Sequence, residues 1–295
     1  LKNLKEFESE YGPADIIHAH VGFPAGLIAV EVAKQTGKPY CLTEHMGPFP
    51  WPHTKDRHGN MLKYYKQPYL KAAMNIAVSP YQAKLMEQSG IKNVAVIPNF
   101  VNEKLFFPSP VQQPLPKTFT FFSMSFIAPN KGTDVLIHAA KLLLQRHKNI
   151  RFRVGGAGPF LSYCQSLAAR LSVADHFTWL GVTDRETAIR EFQQCDAFVL
   201  PSQYESMGIV YVEAIACGKP IVATRCGGPE TIVNPQNGVL VEVDNPSALA
   251  EGMEHIILHR QEYDSNIIRN SFLESFSVEA VAPQLLKLYE SLTEH

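Results

Sequence analysis

The sequence predicts an α/β fold whose strands pair in parallel. Short apolar runs of strand length alternate with longer segments of helical periodicity along the chain. Between Ala197 and Ala223 a strand, a loop, a helix and a second strand follow one another. Parallel neighbours need such a crossover connection, so this unit indicates a parallel sheet. The length of 295 residues is enough for two domains.

The stretch from Val199 to Glu230 is the most informative part of the chain for function. The apolar run from Ala197 to Leu200 reads as a buried strand that ends at Pro201. After a loop, a helix pattern opens near Met207 and ends at the glycine of Cys217-Gly218. The chemistry of this stretch is expected at the start of that helix.

A helix start suits a phosphate, because its first N–H groups have no internal partners and the helix dipole is positive there. Gly208 would let a ligand approach the backbone closely. Glu205 and Glu213 would stand about 12 Å apart along the axis if the segment were helical, which suits two ends of one extended ligand. Glu213 could accept the hydroxyls of a ribose. In the alternative interpretation, Glu205 only caps the helix and Glu213 is a solvated residue.

Three features of this stretch resemble glycosyltransferase family 4. They are the Glu-x7-Glu spacing, the following Ala-Ile-Ala-Cys-Gly-Lys-Pro-Ile-Val-Ala-Thr, and the turn Gly227-Gly228-Pro229-Glu230. That family contains retaining, nucleotide-sugar-dependent enzymes of the GT-B fold. The resemblance implies two Rossmann-like domains whose parallel sheets face each other across a cleft. It also implies that Glu205 and the following amides hold the donor sugar and diphosphate, and that Glu213 binds the ribose.

The set of predicted site residues is larger than these two glutamates. The predicted catalytic residues are His45, Glu205 and Lys131. The predicted donor-binding residues are Ser202, Ser206, Met207, Gly208, Ile209, Glu213 and Gly156. His20 and Glu44 are expected on the acceptor or sugar side. We expect no metal and no cofactor other than the nucleotide sugar, which is a substrate.

The loop after the strand Phe119 to Met124 departs from the family pattern. In the family it carries an arginine and, five residues later, a lysine, and both hold the diphosphate. Lys131 matches the lysine, but Phe126 stands at the arginine position. With one cation at the diphosphate where the family has two, donor binding should be weaker or transfer slower, unless another cation, such as Arg225, compensates. Further on, the glycine turn around Gly156 could approach a phosphate, although close packing of strand on helix explains it equally well.

Two predicted strands of the N-terminal part end in histidines. The strand Asp15 to His20 places His18 and His20 on one face. A second strand ends at His45, and the carboxyl edge of a parallel sheet is where ligands bind. The resemblance assigns His45 to the transferring sugar. A zinc site of the three histidines is the alternative, but no carboxylate or cysteine stands at a supporting spacing.

Composition excludes several classes of protein. The net charge of −1 gives no sign of a partner nucleic acid. Five cysteines without a Cys-x-x-Cys pair indicate a reducing cytoplasm. No apolar run approaches 18 residues and no signal peptide is visible, so we expect a cytoplasmic protein with at most peripheral contact at the inner membrane face.

The connectors predict the domain limits. The loop from Met46 to Asn60 is long and is therefore expected to bind something. The proline-rich segment Glu103 to Lys117 is typical of an interdomain linker. The predicted domains are an acceptor-side domain at 1–107, a donor-binding domain at 108–275 and a helix at 276–295 that crosses back to the first domain. Because the family has a glycine-rich unit before this point, we expect a first domain that lacks its N-terminal part; a naturally short protein is the alternative.

These observations favour a retaining transferase that moves a sugar from a nucleotide-diphosphate sugar to a sugar or lipid-linked acceptor. Lys131 and the helix-end amides would neutralise the leaving diphosphate. Polysaccharide or glycolipid synthesis would be its setting. The alternatives are a sugar-nucleotide epimerase or phosphorylase on the same fold, and a nucleotide-sugar-binding subunit without turnover, which Phe126 favours.

Overall fold

The computed structural model describes residues 2–109 and 118–293 and divides into two compact α/β units. The first unit comprises Leu1–Asn99 and Val281–His295, and the second comprises Phe100–Ala280. Within the described residues the strands form a four-stranded and a six-stranded sheet, and every pairing in both is parallel. The predicted α/β class with parallel sheets is therefore confirmed.

The first unit has a sheet whose strands lie in chain order, from β1 to β4. Its elements are α1 (Lys2–Tyr11), β1 (Ile17–His20), α2 (Leu27–Thr36), β2 (Tyr40–Glu44), α3 (Lys63–Lys71), β3 (Met74–Ala77), α4 (Pro80–Gln88) and β4 (Val94–Val96). In the register of β1 and β2, His20 pairs with Thr43, so the two strand ends lie side by side. The side chains of Leu42, Ile76 and Met86 are fully buried in the core of this unit.

The second unit has the strand order β10-β9-β8-β5-β6-β7. Its elements are β5 (Phe119–Met124), α5 (Thr133–Arg146), β6 (Ile150–Gly155), α6 (Leu161–Arg170), β7 (Phe177–Gly181), α7 (Arg185–Gln194), β8 (Ala197–Leu200), α8 (Ile209–Ala216), β9 (Ile221–Thr224), β10 (Gly238–Val241), α9 (Pro246–Leu258) and α10 (Ser265–Ser275). A final helix, α11 (Val278–Thr293), begins in this unit and continues into the C-terminal residues of the first. The strand order reverses direction between β5 and β8, and ligands bind at such points in open parallel sheets.

Helix ends in this unit follow the capping residues of the sequence. The Asp184 carboxylate accepts a hydrogen bond from the Thr187 amide at 2.8 Å and caps the start of α7. Helix α8 ends at Ala216, and Gly218, two residues further on, has a left-handed φ of 68°. The sequence interpretation missed α10, which Asp264 caps by accepting a 2.7 Å bond from the Asn266 amide.

The start of the predicted linker is packed and not extended. Phe106 is buried and its ring lies 6.2 Å from that of Phe192. The Arg269 guanidinium donates to the carbonyl oxygens of Glu103 and Phe106 and fixes this segment to the second unit. The rest of the linker, with Pro110, Pro114 and Pro116, falls in 110–117, outside the described residues.

The five cysteines are all buried and unpaired, so they serve as small core residues. Burial raises the pKa of the Cys195 thiol to about 12, which keeps it protonated. Among the helices of residues 2–109 and 118–293, none has the length and apolar character needed to cross a membrane.

Candidate functional site

Two loops at the carboxyl edge of the six-stranded sheet are packed tightly together. One follows β5 and contains Gly132, which has a left-handed φ of 67°. A Cβ atom at Gly132 would lie 2.1 Å from the carbonyl oxygen of Pro201, in the loop after β8. The Gln203 amide also donates to the Asn130 carbonyl at 2.9 Å. Glycine at position 132 therefore permits the approach that brings Lys131 to the second loop.

Lys131 and Glu205 form an ion pair at this edge. The Lys131 Nζ lies 2.7 Å from Glu205 Oε1, and Ser202 Oγ donates to the same oxygen at 2.8 Å. Both charged side chains are mostly buried, with exposures of 22% and 12%. The sequence analysis placed both residues at the donor phosphates, and the structure adds that they are bonded to each other. An anionic ligand of Lys131 would compete with the Glu205 carboxylate.

Helix α8 begins at Ile209 and not near Met207. Gly208 precedes it with a left-handed φ of 84°, which favours glycine. Since residues 205–208 are not helical, the 12 Å separation of the two glutamates does not apply. The side chains of Ser206 and Met207 are buried, so a ligand at this helix start would meet backbone atoms there.

The turn at Gly227-Gly228 holds the Glu205 loop in place. The Gly228 amide donates to the Glu205 carbonyl at 2.9 Å. A Cβ atom at Gly228 would lie 2.4 Å from Met207 Cα, so a larger residue would displace the helix start. This contact explains why the sequence pattern combines the glycine turn with the two glutamates.

Glu213 is a mostly buried carboxylate in α8. Its Oε2 atom is buried and has no hydrogen-bond partner among the described residues. Burial raises the pKa of Glu213 to about 7, and the charge of Arg185 acts in the opposite direction. Glu213 is therefore not a solvated surface residue, and a group with hydroxyl donors would satisfy the orphaned oxygen.

Gly156 of the donor set, and the possible compensating cation Arg225, have contacts of their own. The Gly156 amide donates to the Gly181 carbonyl at 2.7 Å, and a Cβ atom at Gly156 would lie 1.8 Å from the Ser125 carbonyl oxygen. These contacts account for the glycine by backbone packing, and its N–H is not available to a phosphate. Arg225 Nε lies 3.6 Å from the exposed Glu242 carboxylate. Phe126, at the position of the expected arginine, is 64% exposed.

Two histidines in the first unit form a hydrogen-bonded pair with a defined direction. His45 Nδ1 lies 2.8 Å from Asn99 Oδ1, and His45 Nε2 lies 2.8 Å from His20 Nδ1. An amide oxygen only accepts, so His45 Nδ1 carries the proton and, in the neutral pair, His45 Nε2 accepts from His20. The exposed ring of His20 then keeps Nε2 as an acceptor. The pKa of His45 is lowered by burial and by His20, while Asn99 opposes the shift.

His18 is a structural residue. Its Nε2 lies 2.7 Å from Thr43 Oγ1 and its Nδ1 lies 2.5 Å from the Tyr289 hydroxyl. Burial lowers the pKa of His18 to about 4, so it stays neutral. Within the described ranges no group of His, Cys, Asp and Glu is arranged to hold a metal.

Glu44 ties together the loops that follow β1 and β2. Its buried carboxylate accepts from the Gly22 amide at 3.1 Å, from the Met46 amide at 2.9 Å and from the Tyr69 hydroxyl. Burial raises the pKa of Glu44, while these hydrogen bonds act to lower it. The sequence analysis placed Glu44 beside a substrate, and the structure shows its oxygens bonded within the protein.

Comparisons with known proteins agree with this architecture. A family model described as "Glycosyltransferase Family 4" matches residues 1–105, and one described as "Glycosyl transferases group 1" matches residues 109–273. Solved structures with the same arrangement of elements are GT-B glycosyltransferases, which identifies the fold. Since the second family match covers more than half of the chain, the protein belongs to the group 1 glycosyltransferases, a family of transferases.

The relatives are distant in sequence. An uncharacterised glycosyltransferase of Methanocaldococcus jannaschii is 28% identical over 99% of this chain and 79% of its own length. A GDP-mannose-dependent phosphatidylinositol monomannoside mannosyltransferase of Mycolicibacterium smegmatis is 32% identical over 45% of this chain and 37% of its own length. The latter alignment thus spans less than half of either protein.

Two solved structures superpose closely. Sucrose-phosphate synthase from Thermosynechococcus elongatus has a TM-score of 0.83 at 23% identity, covering 99% of this chain and 76% of that one. HepE of Anabaena, in complex with UDP and glucose, has a TM-score of 0.81 at 21% identity, covering 97% and 80%. At these identities the likeness establishes the fold.

Proposed function

We propose that this protein transfers a sugar from a nucleoside-diphosphate sugar to a hydroxyl of an acceptor, with retention of the anomeric configuration. The observation that carries the proposal is the buried Glu213 oxygen that has no hydrogen-bond partner within residues 2–109 and 118–293; it lies in helix α8, which begins four residues after Glu205. These groups match two ends of a nucleoside diphosphate. Retention rests on the family 4 resemblance of the same segment, and synthesis of a polysaccharide or glycolipid in the cytoplasm is the proposed setting.

In this proposal the second unit holds the donor. Glu213 accepts the ribose hydroxyls, which satisfies its orphaned Oε2. The diphosphate takes the place of the Glu205 carboxylate at Lys131, and the amides at the start of α8 add donors. As the sugar–oxygen bond breaks, charge grows on the leaving diphosphate and Lys131 stabilises it. The freed Glu205 carboxylate binds hydroxyls of the donor sugar.

The first unit supplies the base that removes the proton of the acceptor hydroxyl. The attacking hydroxyl forms the new bond to the anomeric carbon and loses its proton to His20 Nε2. His20 Nδ1–H remains hydrogen-bonded to His45 Nε2, and Asn99 orients His45 through its Nδ1 proton. The sequence analysis assigned His45 to the transferring sugar. We propose His20 for the proton transfer, because both ring nitrogens of His45 are already engaged.

The direct test is binding and turnover with the intact chain in the presence of EDTA. The mycobacterial relative is named for GDP-mannose and HepE was solved with UDP and glucose, so UDP-glucose and GDP-mannose are the first probes, followed by ADP-glucose. We expect one of them to raise the melting temperature saturably and to yield a glycoside of unchanged anomeric configuration. Failure of all three to bind would contradict the proposal.

A second candidate function is a nucleotide-sugar-binding subunit without turnover. The exposed Phe126, in place of a diphosphate-binding arginine, favours it. Tight donor binding without release of free nucleotide, with or without an acceptor, would support this candidate over the enzyme.

Glu213→Gln is expected to raise the unfolding free energy of the protein at high pH. The pKa of Glu213 is raised from 4.5 to about 7, so the folded protein is destabilised as pH rises through this range and the buried carboxylate ionises. The variant should therefore match the natural protein at pH 4, below the ordinary pKa of 4.5, and exceed it by about 1–3 kcal/mol in unfolding free energy at pH 8. Urea denaturation at both pH values measures this difference.

The same substitution should weaken donor binding. Ribose hydroxyls prefer the ionised Glu213, so donor affinity of the natural protein should increase as pH rises through about 7. In Glu213→Gln the affinity should be lower, by about tenfold, and insensitive to pH. Glu251→Gln, at an exposed position of α9, is the control and should change neither property. Equal pH dependence of donor affinity in Glu213→Gln and the natural protein would contradict the ribose role.

A further inference from the structure

A pocket of about 190 Å³ lies at the amino edge of the six-stranded sheet. Of its lining residues, Phe119 begins β5, and Asp196 and Pro220 directly precede β8 and β9. The Lys131–Glu205 pair lies in the loops that follow β5 and β8. Since these strands have six and four residues, the pocket is separated from the candidate donor site by about 13–20 Å, at about 3.3 Å per residue.

The pocket has an excess of positive charge. Among the described residues that line it, Lys219 and Arg260 are the cations and Asp196 is the anion. Burial raises the pKa of Asp196, while the Thr120 amide and the charges of Arg260 and Lys219 act to lower it, so both cations act on the same carboxylate. Both cations are also partly buried, and one carboxylate offsets only one of them. A bound anion would offset the other.

Asp196 holds the guanidinium of Arg260 in a defined position. Its Oδ1 atom accepts from Arg260 Nη2 at 3.1 Å, and its Oδ2 atom accepts from the Thr120 amide at 2.8 Å. The guanidinium carbon of Arg260 also lies 5.4 Å from the centre of the Phe119 ring. The bond to Asp196 uses Nη2, so the other nitrogens of the guanidinium can donate to a second anion. The cation is therefore positioned before any ligand binds.

Hydroxyl groups and close packing complete the wall. Tyr263 and Ser265 line the pocket, and Ser265 is the first residue of α10. A Cβ atom at Gly218 would collide with the Ser265 hydroxyl, so glycine at this position lets the start of α10 approach the segment that carries Lys219. The volume is below the range of about 300–1,000 Å³ that larger organic ligands occupy. It suits a phosphate group with a few carbon atoms and excludes a whole nucleotide sugar.

We propose that this pocket binds a phosphate group, free or carried on a short carbon chain, at a site separate from the donor site. A phosphate supplies the negative charge that the pocket lacks and several acceptor oxygens for the donors of Lys219 and Arg260. A cation would meet two like charges, and an uncharged molecule would leave the excess charge without a partner. This binding does not depend on the proposed function.

The test is isothermal titration calorimetry of the intact chain at constant ionic strength, with chloride as the replaced anion. The probes are glycerol 3-phosphate and inorganic phosphate, and glycerol is the probe without charge. We expect saturable binding of at least one phosphate compound and none of glycerol at the same concentration. Tighter binding of glycerol 3-phosphate would identify a phosphate ester as the ligand, and tighter binding of inorganic phosphate would identify the free ion.

Two lysines at the same sheet edge provide a matched pair of variants. Lys219 stands two residues before β9, and the exposed Lys148 stands two residues before β6 and does not line the pocket. Lys219→Gln should weaken phosphate binding at least about tenfold, because it removes a charge-assisted donor. Lys148→Gln should bind within about twofold of the natural protein. Arg260→Lys keeps a cation beside Asp196 but loses the planar fork, so it should also weaken binding and covers the case in which Lys219→Gln is unstable.

Lys131 provides the comparison with the donor site. Lys131→Met should bind the phosphate probes within about twofold of the natural protein, and an excess of UDP should not displace them. Loss of phosphate binding in Lys131→Met, displacement by UDP, equal affinities in the Lys219 and Lys148 variants, or no binding of either phosphate compound would overturn the inference. A protein that does not bind nucleotide sugars at all would give the same calorimetric results at this pocket, so failure of the proposed function is distinguished from failure of this site.

Discussion

Lys131→Met is expected to lower the rate of sugar transfer by about 10²–10³-fold, the size of effect seen when one preorganised donor to a developing charge is removed. Lys131 is the cation that the structure holds against Glu205, and Phe126 stands where a second one is expected. With a single lysine at the leaving diphosphate, the loss should fall mainly on kcat. The rate is measured as release of UDP or GDP in steady-state assays at saturating donor.

The matched control is Lys141→Met, at an exposed position of α5, the helix that Lys131 precedes by two residues. It makes the same change of charge and should leave the rate within about twofold. Lys131→Arg keeps the cation but not its shape and should recover part of the activity. A Lys131→Met protein with an unaltered kcat would show that the leaving group is neutralised elsewhere, Arg225 being the first residue to test.

The sequence predicts much of the second unit, because its information there is local. Gly208 and Glu213 can be placed at the start and in the body of one helix from spacing and helix-end chemistry, whereas the distance of Glu205 from Glu213 was wrong because residues 205–208 are not helical. The pairing of Lys131 with Glu205 cannot, since the two residues are 74 positions apart and meet through the contact of Gly132 with Pro201. The burial of Glu213 could not be predicted from the sequence either, because its position in the helix fits a solvated face as well as a buried one.

The first unit shows the same limit more strongly. Period-two spacing placed His18 and His20 on one strand, and the strand end at His45 was also predicted. What each ring does depends on partners that come from distant segments, Asn99 for His45 and Tyr289 for His18. The bonds of Glu44 likewise depend on a turn, a loop and a helix, through the Gly22 and Met46 amides and the Tyr69 hydroxyl.

His20→Gln is expected to reduce kcat by about 10²–10³-fold and to remove the acidic limb of the pH–rate profile. Glutamine can keep a hydrogen bond to His45 Nε2 but cannot take a proton from the acceptor hydroxyl. In the natural protein the rate should fall as pH falls, because a proton on His45 Nε2 reverses the hydrogen bond to His20 Nδ1 and leaves the His20 proton on Nε2. The lowered pKa of His45 leaves that ring neutral, so it can accept from His20 at neutral pH.

Two further variants separate proton transfer from a merely structural role. His138→Gln, at an exposed position of α5, makes the same chemical change away from the pair and should alter neither kcat nor the pH profile. His45→Gln retains His20 but loses the ring that orients it, so it should lower kcat by a smaller factor and still show an acidic limb. If His20→Gln kept the acidic limb at the same pH, the proton of the acceptor hydroxyl would go to another group. The hydrogen bonds from His20 to His45 and from His45 to Asn99 would then serve only to fix the ends of β1 and β2.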